Sequence, residues 1–274
     1  MAVTEIHPSE LAYALAFART ENVIGWDSSA FQPAGAETVD FGAWLKMGEG
    51  KLCAAGRLVG EPAAGLNFTE EVGSAILALA DPALVLLAER KSEGGLRRLS
   101  IHARADDFVG LRRRPDHLFE ITRYAELTAA AGASAGFLGA TFSPVSEEVR
   151  LDAELQDLSG LRQAAQNGDG EGAARQLVAL GMDASAAQSA ASALSTPVAA
   201  GTLTACYCAG NEVQDAEAIS VFTNADDETW LLFAPASLSA PLVLERSSVS
   251  ALAARVTVDV AARWSVKASS ASHS

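Results

Sequence analysis

Apolar and polar positions along the chain fall into helical patterns first, then strand patterns, and then do so a second time. Pro8-Ser9-Glu10 opens a helix, and Leu11, Ala12, Leu15 and Ala16 continue it at helical spacing to about Arg19. Val23-Ile24-Gly25-Trp26 reads as a short apolar strand or core anchor, and residues 32–36 as a loop. A second helix is predicted over 39–58, with an interruption around Gly48–Gly50. Thr69-Glu70-Glu71 begins a third, its acidic residues in the first turn where the helix dipole favours them, and Pro82 stops it. Strand-like runs follow at 83–89, 96–104, 108–112 and 118–123. The connections at 91–95 and 105–107 have hairpin length and turn chemistry. Tyr124–Ala131 starts a helix, and the Gly-, Ala- and Ser-rich segment 132–144 reads as a joint.

Beyond that joint the same order recurs. Residues 158–166, 172–180 and 184–194 are helical, with Asp183 as a cap and Thr196-Pro197 as a stop. Strands are predicted at 201–209, 216–223, 229–233 and 241–245, and a helix runs from Ser247 or Ser248 to about Val260. Landmarks keep order and nearly constant offset: Pro82 and Pro197 are 115 apart, Ala105-Asp106-Asp107 and Ala225-Asp226-Asp227 are 120 apart, and the closing helices are 123 apart. Ala54-Ala55-Gly56-Arg57-Leu58-Val59 also aligns with Ala173-Ala174-Arg175-Gln176-Leu177-Val178. The expected fold is α+β, two similar halves related by a pseudo-twofold, each a small antiparallel β-meander with flanking helices. The halves span 1–140 and 145–265, and the small polar tail 266–274 is expected to be disordered.

Composition narrows the function classes. Of 274 residues 49% are hydrophobic but only 6% aromatic, so Ala, Leu and Val must fill the core. A net charge of −14 argues against a general nucleic-acid binder and against an anionic membrane surface. The start MAVTEIHPSELAYALAFART has no basic region leading into a long apolar run, and no stretch is apolar enough to span a membrane; a cytoplasmic protein is expected. Cys53, Cys206 and Cys208 show no metal-ligand spacing, and Cys206 and Cys208 would share one face of a strand as small apolar residues. Trp26, Trp44, Trp230 and Trp264 are expected as core anchors.

The segment GRLVGEPAAGLNFTEEVGSAILALADP (Gly56–Pro82) resembles a stretch of EspG-like proteins, the cytosolic chaperones of type VII (ESX) secretion. There the order is arginine-glycine-leucine, a turn, an acidic helix start, and a leucine helix ending in Ala-x-Pro; here the first three stand as Gly56-Arg57-Leu58. AERKSEGGLRRLSIHARADDFVGLRR occupies the place of that family's first β-meander. The resemblance implies two similar α+β halves and a client-binding protein that is not an enzyme and needs no cofactor.

Charge supplies the sharpest local feature. Residues 90–123 hold nine basic and five acidic residues, net +4, while the rest of the chain, with eleven basic and 29 acidic, carries −18. On a strand through 96–104, Leu99, Ile101 and Ala103 would face inward and Arg98, Ser100, His102 and Arg104 outward. One reading is a solvated face neutralised by the protein's own carboxylates. The other is a docking surface for an acidic partner protein or for the acidic half of a second copy, a homodimer, formed by Lys91, Arg98, His102, Arg104, Arg112 and Arg114. Two alternatives stay open: a small-molecule or catalytic site between the halves using His102, Asp106 and His117, and a winged-helix regulator. The second lacks Arg or Lys on 69–80, the helix that would meet DNA.

Overall fold

Val3–Ile6 forms the first strand, β1, and it exists because it pairs with a strand more than a hundred residues later. It is followed by α1 (Pro8–Phe17), α2 (Phe41–Ala54), the hairpin β2 (Leu58–Glu61) and β3 (Gly65–Phe68), and α3 (Glu70–Ala80). The strands β4 (Leu84–Ser92), β5 (Gly95–Arg104), β6 (Asp107–Arg113) and β7 (Phe119–Tyr124) come next, then α4 (Leu127–Leu138). The order begins again with β8 (Arg150–Ala153), α5 (Leu158–Gln166), α6 (Gly170–Ala179) and α7 (Ala184–Ser195). It closes with β9 (Ala199–Ala209), β10 (Glu212–Thr223), β11 (Thr229–Phe233), β12 (Leu242–Ser247) and α8 (Val249–Ala271). The computed structural model describes residues 3–20, 22–33, 40–61, 65–92, 95–145, 147–154, 158–233 and 241–271. Among these the chain is α+β, with eight α-helices and antiparallel strands.

Two compact units hold these elements, and neither is one continuous stretch. The first takes residues 1–87, 98–130 and 206–216; the second takes 88–97, 131–205 and 217–274. Consequently β4, β5, β9 and β10 pass from one unit to the other along their lengths.

In the first unit the strand order is β1-β7-β6-β5-β4. Antiparallel register places Ile6 opposite Phe119, Leu111 opposite Ile121 and Ser100 opposite Leu111. α1 and α3 lay Leu11, Leu15, Ile76 and Leu79 onto Val109, Leu111, Phe119 and Ile121. At the start of α1, Glu10 accepts the His7 N–H at 2.7 Å and the His7 ring accepts the Ser9 N–H at 3.2 Å, a reciprocal cap. α2 touches α1 at Gly48, where a Cβ would stand 2.0 Å from the Ser9 carbonyl oxygen. The buried Glu10 carboxylate also accepts from Arg57 Nη1 at 3.2 Å, and the Arg57 carbonyl accepts the Thr69 N–H at 3.0 Å. One residue thus ties α1 to the chain entering β2 and to the start of α3.

β5 departs from the expected inside–outside alternation. Leu99, Ile101 and Ala103 are buried as expected, but Ser100 and His102 are fully buried as well. Both lie in register with Leu111 and Val109, on the face that α1 and α3 cover. Burial is tolerable because the polar atoms are joined: Trp26 Nε1 donates to Ser100 Oγ at 2.7 Å, and Ser100 Oγ lies 2.9 Å from His102 Nε2. Ser100 Oγ thus joins the Trp26 and His102 side chains, while His102 Nδ1 is buried without a hydrogen-bond partner. Val23-Ile24-Gly25-Trp26 is a tight turn closed by a bridge between Val23 and Trp26, with Gly25 at φ +87°. Cys206 and Cys208 pack with Val85 and Ile24, and no disulfide is present among the described residues.

In the second unit the order is β4-β9-β10-β11-β12-β8. Leu232 stands opposite Ser220 and Leu244, and Leu244 opposite Leu151. Leu161, Leu177, Ala187 and Ala190 from α5–α7 cover Trp230, Leu244 and Leu151. Asp183 caps α7 by accepting from Ser185 N–H at 2.8 Å, which holds its carboxyl below the usual carboxylate range. Residues 132–138, expected as part of a joint, continue α4, and Tyr124 ends β7 instead of starting the helix. Ala130, Ala131, Ser134, Ala135 and Leu138 are all fully buried, and this packing outweighs the cost of about 1 kcal/mol for each helical glycine. The alignment of Arg57-Leu58-Val59 with Arg175-Gln176-Leu177-Val178 joins unlike elements, since the first enters β2 and the second lies within α6. α8 runs to Ala271; residues 272–274 of the expected polar tail, and the Trp264 side chain, lie outside what is described.

Replacing Arg57 with Ala leaves the Glu10 carboxylate buried without its cation. The expected cost is about 2–3 kcal/mol in urea unfolding, partly recovered in the Arg57→Ala/Glu10→Gln double variant. Burial also pushes the His102 pKa from 6.5 to about 3. Below pH 6.5 the unfolded chain takes up a proton there that the folded protein refuses. This contribution to stability is therefore full above pH 6.5 and is lost as pH falls toward 3. Urea titrations should show about 2 kcal/mol of this loss between pH 6.5 and 5, and His102→Gln should show that much less.

Candidate partner-binding surface

Three kinds of environment receive the six residues expected to form a docking surface. Arg98 and His102 are built into the first unit. The Arg98 guanidinium lies 5.6 Å over the Trp26 ring and donates to the Gly25 carbonyl, clamping the 23–26 turn against β5. His102 is enclosed completely, and no face of it meets solvent. The expectation that both point outward therefore fails for His102, because the outward positions of an isolated strand became the face that α1 and α3 cover.

Arg104, Arg112 and Arg114 reach the surface, each engaged by a carboxylate of its own unit. Arg104 Nε donates to Asp81 at 3.4 Å, with both side chains about half exposed. Arg112 sits directly opposite Glu120 on β7 and donates from Nε at 2.9 Å and again from Nη2. Arg114 meets Glu5 from β1, Asp116 at 3.0 Å and, more distantly, Glu120 at 3.9 Å. Glu120 therefore joins Arg112 and Arg114 into one network. Arg123 follows the same rule, pairing with Asp107 at 3.1 Å and donating to Ser74 Oγ and the Glu71 carbonyl. Exposed pairs of this kind contribute about 0–1 kcal/mol each, so exchange of one carboxylate for another is nearly neutral.

Lys91 differs from these. It is exposed near the end of β4, in the second unit, and makes no ion pair among the described residues. Arg97, at the start of β5 in that unit, is likewise exposed and without an ion pair among them. Between the two in sequence lies Leu96, 62% exposed; Glu93 and Gly94 of the connecting loop lie outside the described residues. Two cations with no ion pair among the described residues and an exposed leucine thus flank one hairpin connection. The sequence signal was present in GGLRR, where an apolar residue between turn and cations has no core role.

His102, Asp106 and His117 are not joined by any hydrogen bond. Asp106 and His117 lie exposed in separate turns while His102 is in the core. Among the described residues no group of three or more His, Cys, Asp or Glu side chains is arranged to hold a metal, and no helix is long and apolar enough to cross a membrane.

No protein-family model matches this chain, and no curated protein matches it. A solved structure does: the Mycobacterium tuberculosis type VII secretion system chaperone EspG5 in complex with the PE25-PPE41 dimer. The likeness has a TM-score of 0.64 and covers 92% of this chain and 94% of that chain, at 13% sequence identity. The resemblance first read from Gly56–Pro82 is therefore a resemblance of fold, and the chain has the fold of an EspG-like type VII secretion chaperone.

Proposed function

We propose that this protein is a chaperone or adaptor, not an enzyme, that holds a partner protein. The observation that supports this most is that a known chaperone shares the fold over nearly the whole of both chains. EspG5 was solved with a protein dimer bound, and by analogy the client here is also a protein.

The proposed contacts in the second unit are Lys91, Leu96 and Arg97, where the cations have no carboxylate to give up among the described residues and an apolar side chain already faces solvent. In the first unit, Arg104, Arg112 and Arg114 would exchange Asp81, Glu120 and Glu5 for carboxylates of the client, which sets orientation and association rate more than affinity. Arg98 and His102 shape β5 from within and make no contact with the client.

We also read the two runs of elements as copies of one ancestral unit. α3 and α7 support this at both ends: their N-caps Thr69 and Asp183 have φ/ψ of −57°/152° and −57°/146°, and their C-caps Asp81 and Thr196 have −140°/62° and −137°/59°. Ser74 and Ser189, 115 residues apart like the two prolines, each bond to a side chain of their unit's strands or of the turn between them.

Affinity capture from the source organism at low and moderate salt tests the surface. Wild type should retain a stoichiometric protein, Lys91→Glu/Arg97→Glu should lose most of it, and Arg104→Glu/Arg112→Glu should bind it several-fold more slowly. Equal recovery by all three sinks the surface, and absence of any stoichiometric partner sinks the chaperone reading. Sedimentation of the purified chain separates a client from a second copy, since only a homodimer would dissociate on dilution.

A further inference from the structure

Along α1 and the turn after it, Ala12, Leu15, Ala16 and Arg19 recur at steps of three and four. All four line a cavity of about 430 Å³ in the first unit, closed on other sides by Phe31 and by Phe41, the first residue of α2. Its origin is geometric. α1 and α2 are in backbone contact at Ser9 and Gly48, and seven residues away from that contact along each helix stand Ala16 and Phe41. Two alanines on the α1 side leave the gap unfilled, and Phe31, itself buried, fills it only in part. The volume lies within the ~300–1,000 Å³ of small-molecule sites.

The lining of this cavity is mixed. Its apolar part is the alanines, Leu15, Phe31 and the half-exposed Phe41; its polar part is Arg19, Thr20, Ser28 and Gln32. Arg19 makes no side-chain hydrogen bond or ion pair among the described residues, in a chain whose acidic residues outnumber basic ones 34 to 20. Arg112, Arg114 and Arg123 of the same unit each have a carboxylate. Asp27 and Asp40, next in sequence to the lining residues Ser28 and Phe41, do not pair with it; the Asp40 carboxylate instead caps α2, accepting the Ala43 N–H at 3.1 Å. A guanidinium with no carboxylate on it among the described residues, two hydroxyls and an apolar lining match one ligand chemistry.

We propose that this groove binds a small free amphiphile, its apolar chain along Ala12, Ala16 and Phe41 and its carboxylate on Arg19. The site is independent of the partner-binding reading and would stand if that reading failed. A reporter is built in: Trp44 Nε1 donates to the Phe31 carbonyl at 2.9 Å, so displacement of the Phe31 wall alters the Trp44 environment.

The test titrates the full chain with octanoate and with octanol, by calorimetry and by tryptophan fluorescence. Octanoate should bind saturably and about tenfold more tightly than octanol. Arg19→Gln should abolish that preference while leaving octanol binding unchanged. Ala16→Phe, at an exposed position, should fill the cavity and remove binding of both without changing the melting profile. Phe41→Ala gives the same answer if that variant folds poorly, by weakening both ligands several-fold. Equal binding of octanoate and octanol by wild type, no saturable binding at millimolar octanoate, or full binding by Ala16→Phe would each overturn the proposal.

Discussion

Gly48 brings the α2 backbone onto Ser9 so closely that a methyl group in its place would overlap the Ser9 carbonyl, and at the next residue of α1 Arg57 meets the Glu10 carboxylate. Much of the first unit is spaced from these two contacts. The first fixes how near α2 can come to α1, which decides what is left open further along the pair. The second fixes where the chain leaves α2, and through the Arg57 carbonyl it fixes where α3 begins. A buried carboxylate is unfavourable unless it is paired and hydrogen-bonded. Glu10 satisfies both conditions, with the Arg57 guanidinium and the His7 N–H. An Arg between a helix end and a strand looks like loop polarity in sequence, yet it is the point at which three elements are joined.

Where the sequence was legible, the signal was local. The strands β4–β7 and β9–β12 are long enough, and bounded by clear enough turn residues, to declare themselves. β1, β2, β3 and β8 are four residues each, and VTEI, LVGE, GLNF and RLDA carry no pattern that separates strand from loop. They form because a partner strand supplies their hydrogen bonds, information held elsewhere in the chain. α4 was misread at its glycines, because helix propensity weighs against Gly132 and Gly136 while the packing that favours small side chains cannot be seen locally. The inside–outside assignment of β5 failed for a related reason. Alternation tells which residues share a face and not whether the second face is covered, and Trp26, 74 residues away, made a buried serine and histidine affordable.

Charge was the feature most nearly readable and most easily overread. Nine cations cluster in residues 90–123, and of these Arg104, Arg112, Arg114 and Arg123 meet carboxylates of their own unit. Which acids do so depends on strand register and on the return of β1 beside β7, which places Glu5 against Arg114. Once those pairs are drawn, Lys91 and Arg97 stand apart as exposed cations with no ion pair among the described residues. Only the folded arrangement separates Arg97 from Arg112, although the two look equivalent in a list of basic residues.

The two units share their strands, and this has a consequence for how the molecule can exist at all. Residues 206–216 complete the first unit although they follow most of the second, and 88–97 belong to the second although they precede most of it. No single cleavage of the chain yields two complete units. A ribosome must therefore synthesise residue 216 before even the amino-terminal unit can be finished.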